Sequence, residues 1–254
     1  MLSHDSVVEG LIDLDVERGA AELLAPVMAR YVDELHRNND RFGLIGREDA
    51  ADPQRLLSRH ILDSIAPWRH VAQLVAESGG RTLYDLGSGA GMPGIPLGYA
   101  LSAHYPGVLD EVVLVERRSK RVAFLLGVLP GLQRIWAGEY SLAIRAVETD
   151  TSNLPAKSGG RHLNGRPREA QPDALRSAVV VFRAYQQTGD ALLAELAHVF
   201  VPGTPVCALK GKSEHARAEL AVLQESSHAE RAELHELAIP GEQAERSVLT
   251  WYLK

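Results

Sequence analysis

The chemistry in this sequence is concentrated in LYDLGSGAGMPGIPL, residues 83–97, and in Glu116, the acid that closes EVVLVE. Asp85, Gly87, Ser88, Gly89 and Gly91 form a turn after a short apolar run. With no β-carbon in the way, glycines let the chain turn tightly and let a ligand approach the backbone. An acid ending the following strand can accept both hydroxyl hydrogens of a ribose. The layout therefore predicts a nucleoside-containing cofactor on a doubly wound sheet. Gly89, Gly91 and Gly94 formally satisfy a dinucleotide fingerprint. A pyrophosphate, however, needs free N–H groups where the helix starts. Pro93 and Pro96 remove two of them, and Asp85 adds negative charge. Both features favour S-adenosylmethionine, which has no phosphate and carries a sulfonium and an ammonium that an acid-rimmed turn attracts. A nicotinamide or flavin dinucleotide and a ligand-free structural turn are the alternatives.

Cationic candidates lie further along. Arg183 follows SAVVVF and Lys210 follows PVCAL. Both stand at carboxyl ends of expected strands, the edge where open α/β sheets bind ligands. A guanidinium there can reach a phosphate, and an ammonium can clamp one. An ordinary ion pair at the strand end is the structural alternative for each. Arg117, Arg118, Lys120 and Arg121 form a basic run after Glu116, with Arg117 and Arg121 expected on one helical face. That run is read either as RNA contacts or as solvated surface. Arg59, His60 and Asp63 occupy a helical stretch, with His60 and Asp63 spaced for one face. They make either a local histidine–carboxylate contact or part of a substrate groove. Cys207 reads as a buried structural thiol. One cysteine permits no intrachain disulfide, and the ten histidines form no H-x-x-x-H or Cys/His cluster, so no metal is expected.

The elements that must position these groups follow from periodicity. From Ala20, Leu23, Leu24, Val27, Met28, Tyr31, Val32 and Leu35 recur at three and four, predicting an amphipathic helix. HRNNDRFGLIG interrupts the period, and a second helical stretch follows with Pro67 bending or dividing it. After Gly79-Gly80 come strand candidates RTLYDLG, EVVLVE, SAVVVF, TPVCALK and RSVLTWYLK. Helical patterns fall between them at 118–128, 190–200 and 213–226. The third strand is supplied by either QRIWAGE or LAIRAVE. This alternation predicts a mostly parallel sheet covered on both faces. The expected division is a helical extension over 1–79 and an α/β domain over 80–254. Residues 151–176 are expected to be a long polar loop, locally basic with five Lys/Arg against two Asp/Glu.

The 254 residues, 45% hydrophobic, suffice for one large core. The acidic opening shows no signal-peptide pattern, and no apolar run is long enough for a bilayer span. A cytoplasmic protein is expected. The formal charge of −6 argues against general nucleic-acid binding but not against a local basic face.

Six segments taken in order carry a more specific likeness: HILDSI (60–65), DLGSGAGMPGIPL (85–97), LVERRSKRVAFL (114–125), FRAY (182–185), ALKG (208–211) and the terminal ERSVLTWYLK. Together they resemble the bacterial small-subunit rRNA guanine-N7 methyltransferase family, also called the glucose-inhibited division protein B family. The resemblance implies a class I S-adenosylmethionine-dependent methyltransferase fold with an N-terminal helical appendage. It further implies methyl transfer to N7 of one guanine in the decoding-region loop of 16S rRNA, with no metal or covalent intermediate. The expected partner is 16S rRNA, the small subunit or an assembly intermediate, met by a monomer.

By the same likeness, Asp85, Gly87, Ser88, Gly89, Gly91 and Glu116 line the cofactor site, with Ala146, Val147 and Glu148 near the adenine. Arg183 and Lys210 are the candidate catalytic residues. The acceptor side adds Arg59, His60, Asp63, Pro93, Arg117, Arg121 and Arg246. Three departures stand out: Glu116 replaces a common aspartate, Gly43-Leu44-Ile45 replaces Asn-Leu-Thr, and RAVE carries one extra residue. The alternatives are the same fold acting on another RNA or a small molecule, and a non-catalytic S-adenosylmethionine- or RNA-binding protein.

Overall fold

The computed structural model describes residues 2–136, 141–154 and 178–254. The helices before the sheet are α1 (His4–Ile12), α2 (Arg18–Phe42), α3 (Arg47–Ala50) and α4 (Pro53–Leu56). A π-helical turn over Leu57–Leu62 follows, then α5 (Asp63–Ile65) and α6 (Trp68–Ser78). Then come β1 (Thr82–Leu86), α7 (Gly94–His104), β2 (Glu111–Glu116), α8 (Ser119–Ile135) and β3 (Ala143–Glu148). The chain continues through β4 (Ala178–Arg183), α9 (Asp190–Val199), β5 (Pro205–Lys210), α10 (Ser213–Glu225), β6 (Ala229–Leu237) and β7 (Arg246–Leu253).

The strand order is β3-β2-β1-β4-β5-β7-β6. The first five strands in that order pair in parallel, whereas β7 runs antiparallel to both β5 and β6. This is the α/β class expected, with its helical N-terminal part. From β1 the chain winds outward through β2 and β3, then returns to place β4 on the other side of β1. The carboxyl ends of β1 and β4 therefore flank the topological switch point, where such sheets leave a crevice.

Local sequence explains the framework. In α2, Leu24, Val27, Met28, Tyr31, Val32 and Leu35 are fully buried, but Leu23 is exposed and lies off the expected stripe. Gly43 ends α2 in the left-handed region, and the Asn39 side chain closes the turn, accepting from the Leu44 and Ile45 amides. Pro67 separates α5 from α6 rather than bending one helix. LAIRAVE supplies β3, while Gln133 to Ile135 of QRIWAGE finish α8. Thr151–Asn153 forms a 3-10 turn. The rest of the expected loop, from 155, lies outside the described residues.

Helix α7 explains why helices precede the sheet. Every residue from Gly94 to Ser102 is buried, so the helix has no solvent face. It packs on β1 and β2 on one side and on α2, α5 and α6 on the other. A helix apolar all round needs such a second layer. Leu24, Met28, Tyr31, Ile61 and Val71 accordingly share one core with Ile95, Tyr99 and Leu125.

Candidate functional site

The turn after β1 is built from its own amides. Gly87, Gly89 and Gly91 all have positive φ, at 66°, 60° and 100°. Asp85 is fully buried, and its Oδ2 accepts from the Gly94 amide at 2.7 Å, which holds the start of α7 against the end of β1. The Ile95 amide donates to Gly91 and the Leu97 amide to Pro93, while Pro96 has no N–H. No amide in this first turn is left for a phosphate, which is the physical ground for expecting a phosphate-free cofactor. The Met92–Pro93 peptide is cis, and Pro93 is buried at the N-cap of α7.

Two buried polar atoms here have no partner among the described residues: Asp85 Oδ1 and Ser88 Oγ. Burial pushes Asp85 up to about 7, with the nearby Glu116 charge adding to the rise and the Gly94 amide and Arg183 opposing it. Glu116 ends β2 almost wholly buried. Its Oε2 accepts from the Gly89 amide at 2.9 Å and its Oε1 from the Arg118 amide at 2.8 Å, with Arg121 Nη1 3.6 Å away. The longer arm of glutamate thus reaches back to the glycine turn and fixes its shape, and each carboxylate oxygen keeps a second lone pair for a ligand. Ala146, Val147 and Glu148 end β3 beside Leu114, Val115 and Glu116. This acid-lined, amide-poor cradle fits an S-adenosyl cofactor.

A cavity of about 720 Å³ opens beside it, over the ends of β4, β5 and β7. Arg59, Arg183, Lys210, Lys212 and Arg246 line it together with only two carboxylates, Asp63 and Glu219. A chain of net charge −6 thus concentrates positive charge in one concavity. Asp63 organises that charge. It accepts from Arg183 Nη1 at 2.9 Å and from Arg246 Nε at 2.7 Å, joining residues of three distant elements. Arg183 also places Nη2 3.6 Å from Met92 Sδ, next to the glycine turn.

Several expected pairings are corrected. His60 does not meet Asp63; its Nε2 lies 3.1 Å from Asp49 Oδ2. The π-helical turn rotates the positions away from α-helical spacing. Burial, and then the Arg183 charge, hold the His60 imidazole below its ordinary value. Arg59 pairs with Asp49 at 3.0 Å and Glu242 at 3.3 Å. Arg117 does not share a helical face with Arg121, because α8 begins only at Ser119. It is exposed and 3.9 Å from Asp150. Neither Arg117 nor Arg121 lines the cavity. Lys210 lies in the cavity wall but is committed to Glu219, 2.6 Å away, and to Thr188 Oγ1 at 3.1 Å. Cys207 is buried, with its thiol pushed up to about 12 and so inert as a nucleophile. Among the described residues no three His, Cys, Asp or Glu side chains converge on a metal site, and no helix is long and apolar enough to cross a membrane.

Sequence reading missed Asp49, Thr188, Glu219 and Glu242, whose partners are set by tertiary contact, and Tyr185. The last carried one signal, its place in the FRAY segment.

The family described as rRNA small subunit methyltransferase G matches residues 25–134. The chain is 35% identical over 144 residues to ribosomal RNA small subunit methyltransferase G of Treponema pallidum, covering 55% of this chain and only 60% of that protein. To the protein of the same name from Myxococcus xanthus it is 32% identical over 228 residues, 89% of this chain and 86% of the relative. Among solved structures, a predicted O-methyltransferase from Agrobacterium tumefaciens aligns with a TM-score of 0.47 and 19% identity, over 76% of this chain and 80% of that one.

Proposed function

Since this chain belongs to the rRNA small subunit methyltransferase G family, we propose that it transfers a methyl group from S-adenosylmethionine to N7 of one guanine in the decoding-region loop of 16S rRNA. The observation that carries this reading is the meeting of two unlike compartments at the switch point. A phosphate-free, acid-lined turn lies on one side and a basic cavity on the other. The first suits an S-adenosyl group, the second a polyanion. The protein acts in the cytoplasm as a monomer.

The residues fit the cofactor as follows. Asp85 and Ser88 supply buried unpartnered oxygens, Glu116 carries free lone pairs, and Ala146, Val147 and Glu148 border the far end. S-adenosylmethionine supplies an electrophilic methyl on a sulfonium. What the chain itself must do is modest, because guanine N7 presents an in-plane lone pair and loses no proton when it attacks. Placing the base in line is therefore the main contribution. Arg183 is held by Asp63 and by a weaker contact to Met92 Sδ, and keeps further donors for guanine O6 or a phosphate. A donor on N7 itself would block the reaction. Lys210, bound to Glu219, acts as a fixed positive charge in the wall. Arg246, sharing Asp63 with Arg183, and Arg59 extend the basic surface.

The test is transfer of labelled methyl to unmodified 16S rRNA, both protein-free and in small subunits, followed by mapping of the labelled nucleotide. Label on one decoding-loop guanine N7, reduced at least tenfold by Arg183→Ala (~1.4 kcal/mol), is the expected result. Normal cofactor binding with no label on either substrate overturns the assignment.

A further inference from the structure

Tyr185 brings an aromatic face to both compartments. A β-carbon built on Gly87 would stand 2.3 Å from Tyr185 Cδ2, so the ring already lies against the backbone of the cofactor turn. Tyr185 also lines the basic cavity. Its ring orientation is fixed at several points. The preceding residue, Ala184, has φ of 50°, a conformation uncommon for a residue with a side chain. The hydroxyl donates to Thr151 Oγ1 at 2.7 Å, and the ring packs against Phe182 with centroids 5.9 Å apart. The side chain is only half-buried, which leaves ring surface for a ligand.

Resting on the function proposed above, we infer that the Tyr185 ring is the platform on which the acceptor guanine stacks, next to the glycine turn, and that it favours the charged product base. In the reaction the N7 lone pair forms the new nitrogen–carbon bond. The carbon–sulfur bond breaks with its electron pair remaining on sulfur. No proton leaves, so the sulfonium charge passes to the guanine ring. An aromatic face attracts a cation above it and stacks on any base. The electron-rich ring therefore gains attraction as charge develops, an effect a leucine cannot supply. Arg183, at the end of β4 two positions earlier, lines the same cavity, so face and edge of the base are addressed by residues of one strand end.

The experiment compares Tyr185→Phe and Tyr185→Leu in single-turnover methylation of small subunits. The dissociation constant of S-adenosylhomocysteine and the melting temperature are measured alongside. Phe is expected to keep the rate within about threefold, and Leu to lower it roughly ten- to a hundredfold, with cofactor affinity changed less than about threefold. Should Leu not fold, Tyr185→Trp takes its place and is expected to retain the rate. The inference is overturned if Phe loses as much as Leu, or Trp fails where Phe succeeds. It is equally overturned if the Leu loss follows weakened cofactor binding. A second readout does not need rRNA: saturation-transfer NMR with 7-methylguanosine and guanosine on the S-adenosylhomocysteine complex. Wild type should prefer the cationic nucleoside and Leu should lose that preference. Preference retained while wild type methylates no rRNA sinks the assigned substrate alone; absent preference with active wild type sinks the platform alone.

Discussion

Asp85 should make cofactor binding depend on pH near neutrality. The carboxyl is fully buried, and burial pushes it up to about 7, with Glu116 nearby adding to the rise and the Gly94 amide and Arg183 pulling the other way. Binding an ammonium requires the ionised form. The ionised fraction rises from about one-tenth at pH 6 to about three-quarters at pH 7.5, so affinity for S-adenosylmethionine should increase about eightfold over that interval. Measurements stop at 7.5 because an α-amino group begins to lose its own proton near 7.7–8. Isothermal titration in buffers of different ionisation enthalpy should also detect a proton released on binding at pH 6. Asp85→Asn can still accept from Gly94 and should bind weakly with no pH dependence. Stability has the opposite sign. A carboxyl raised from 3.8 to about 7 stabilises the fold fully below pH 3.8, and that contribution is lost as pH rises through 7. The loss is at most about 4 kcal/mol. The melting temperature of Asp85→Asn should therefore gain on wild type between pH 5 and 8. Flat wild-type affinity from pH 6 to 7.5, matched by the Asn variant, would refute Asp85 as the acid facing the ammonium.

The Lys210–Glu219 pair is largely buried, so Glu219→Gln should cost about 3 kcal/mol in urea unfolding by leaving Lys210 without its counter-charge. Adding Lys210→Met to Glu219→Gln should recover most of that loss, since glutamine can still accept from the Thr188 amide. Tyr31 in α2 donates its hydroxyl to the Ala90 carbonyl of the glycine turn, so Tyr31→Phe should lower stability by about 1–3 kcal/mol, since a buried acceptor loses its donor. It should also weaken cofactor binding severalfold, measured by titration, because the turn loses its anchor.

The glycine turn was legible because backbone demands are written locally: only glycine adopts positive φ at three alternate positions without strain. EVVLVE was legible because both faces of β2 are buried, leaving a run of branched apolar residues. Strand β6, AERAELHEL, was missed for the converse reason. It is a sheet edge whose side chains are exposed or half-buried after Ala229, and its composition reads as helix. The joining of Asp63 to Arg183 and Arg246 has no sequence signal at all, since the partners lie 120 and 183 residues away. Likewise the π-helical turn moved His60 from the expected partner to Asp49.

The almost wholly buried α7 bears on how the protein can be made and dissected. The helices over 1–79 are synthesised first, yet the surface they exist to cover appears only when residues 94–104 emerge. Until then the side of α2 that meets α7 is uncovered, although its other side packs on α1, so the nascent chain carries an apolar surface that can stick to itself or to other chains. The sheet is equally dependent, because a fragment starting at residue 80 would expose one entire side of α7 to water. The two parts should therefore travel together in any fusion, the sheet with its leading helices.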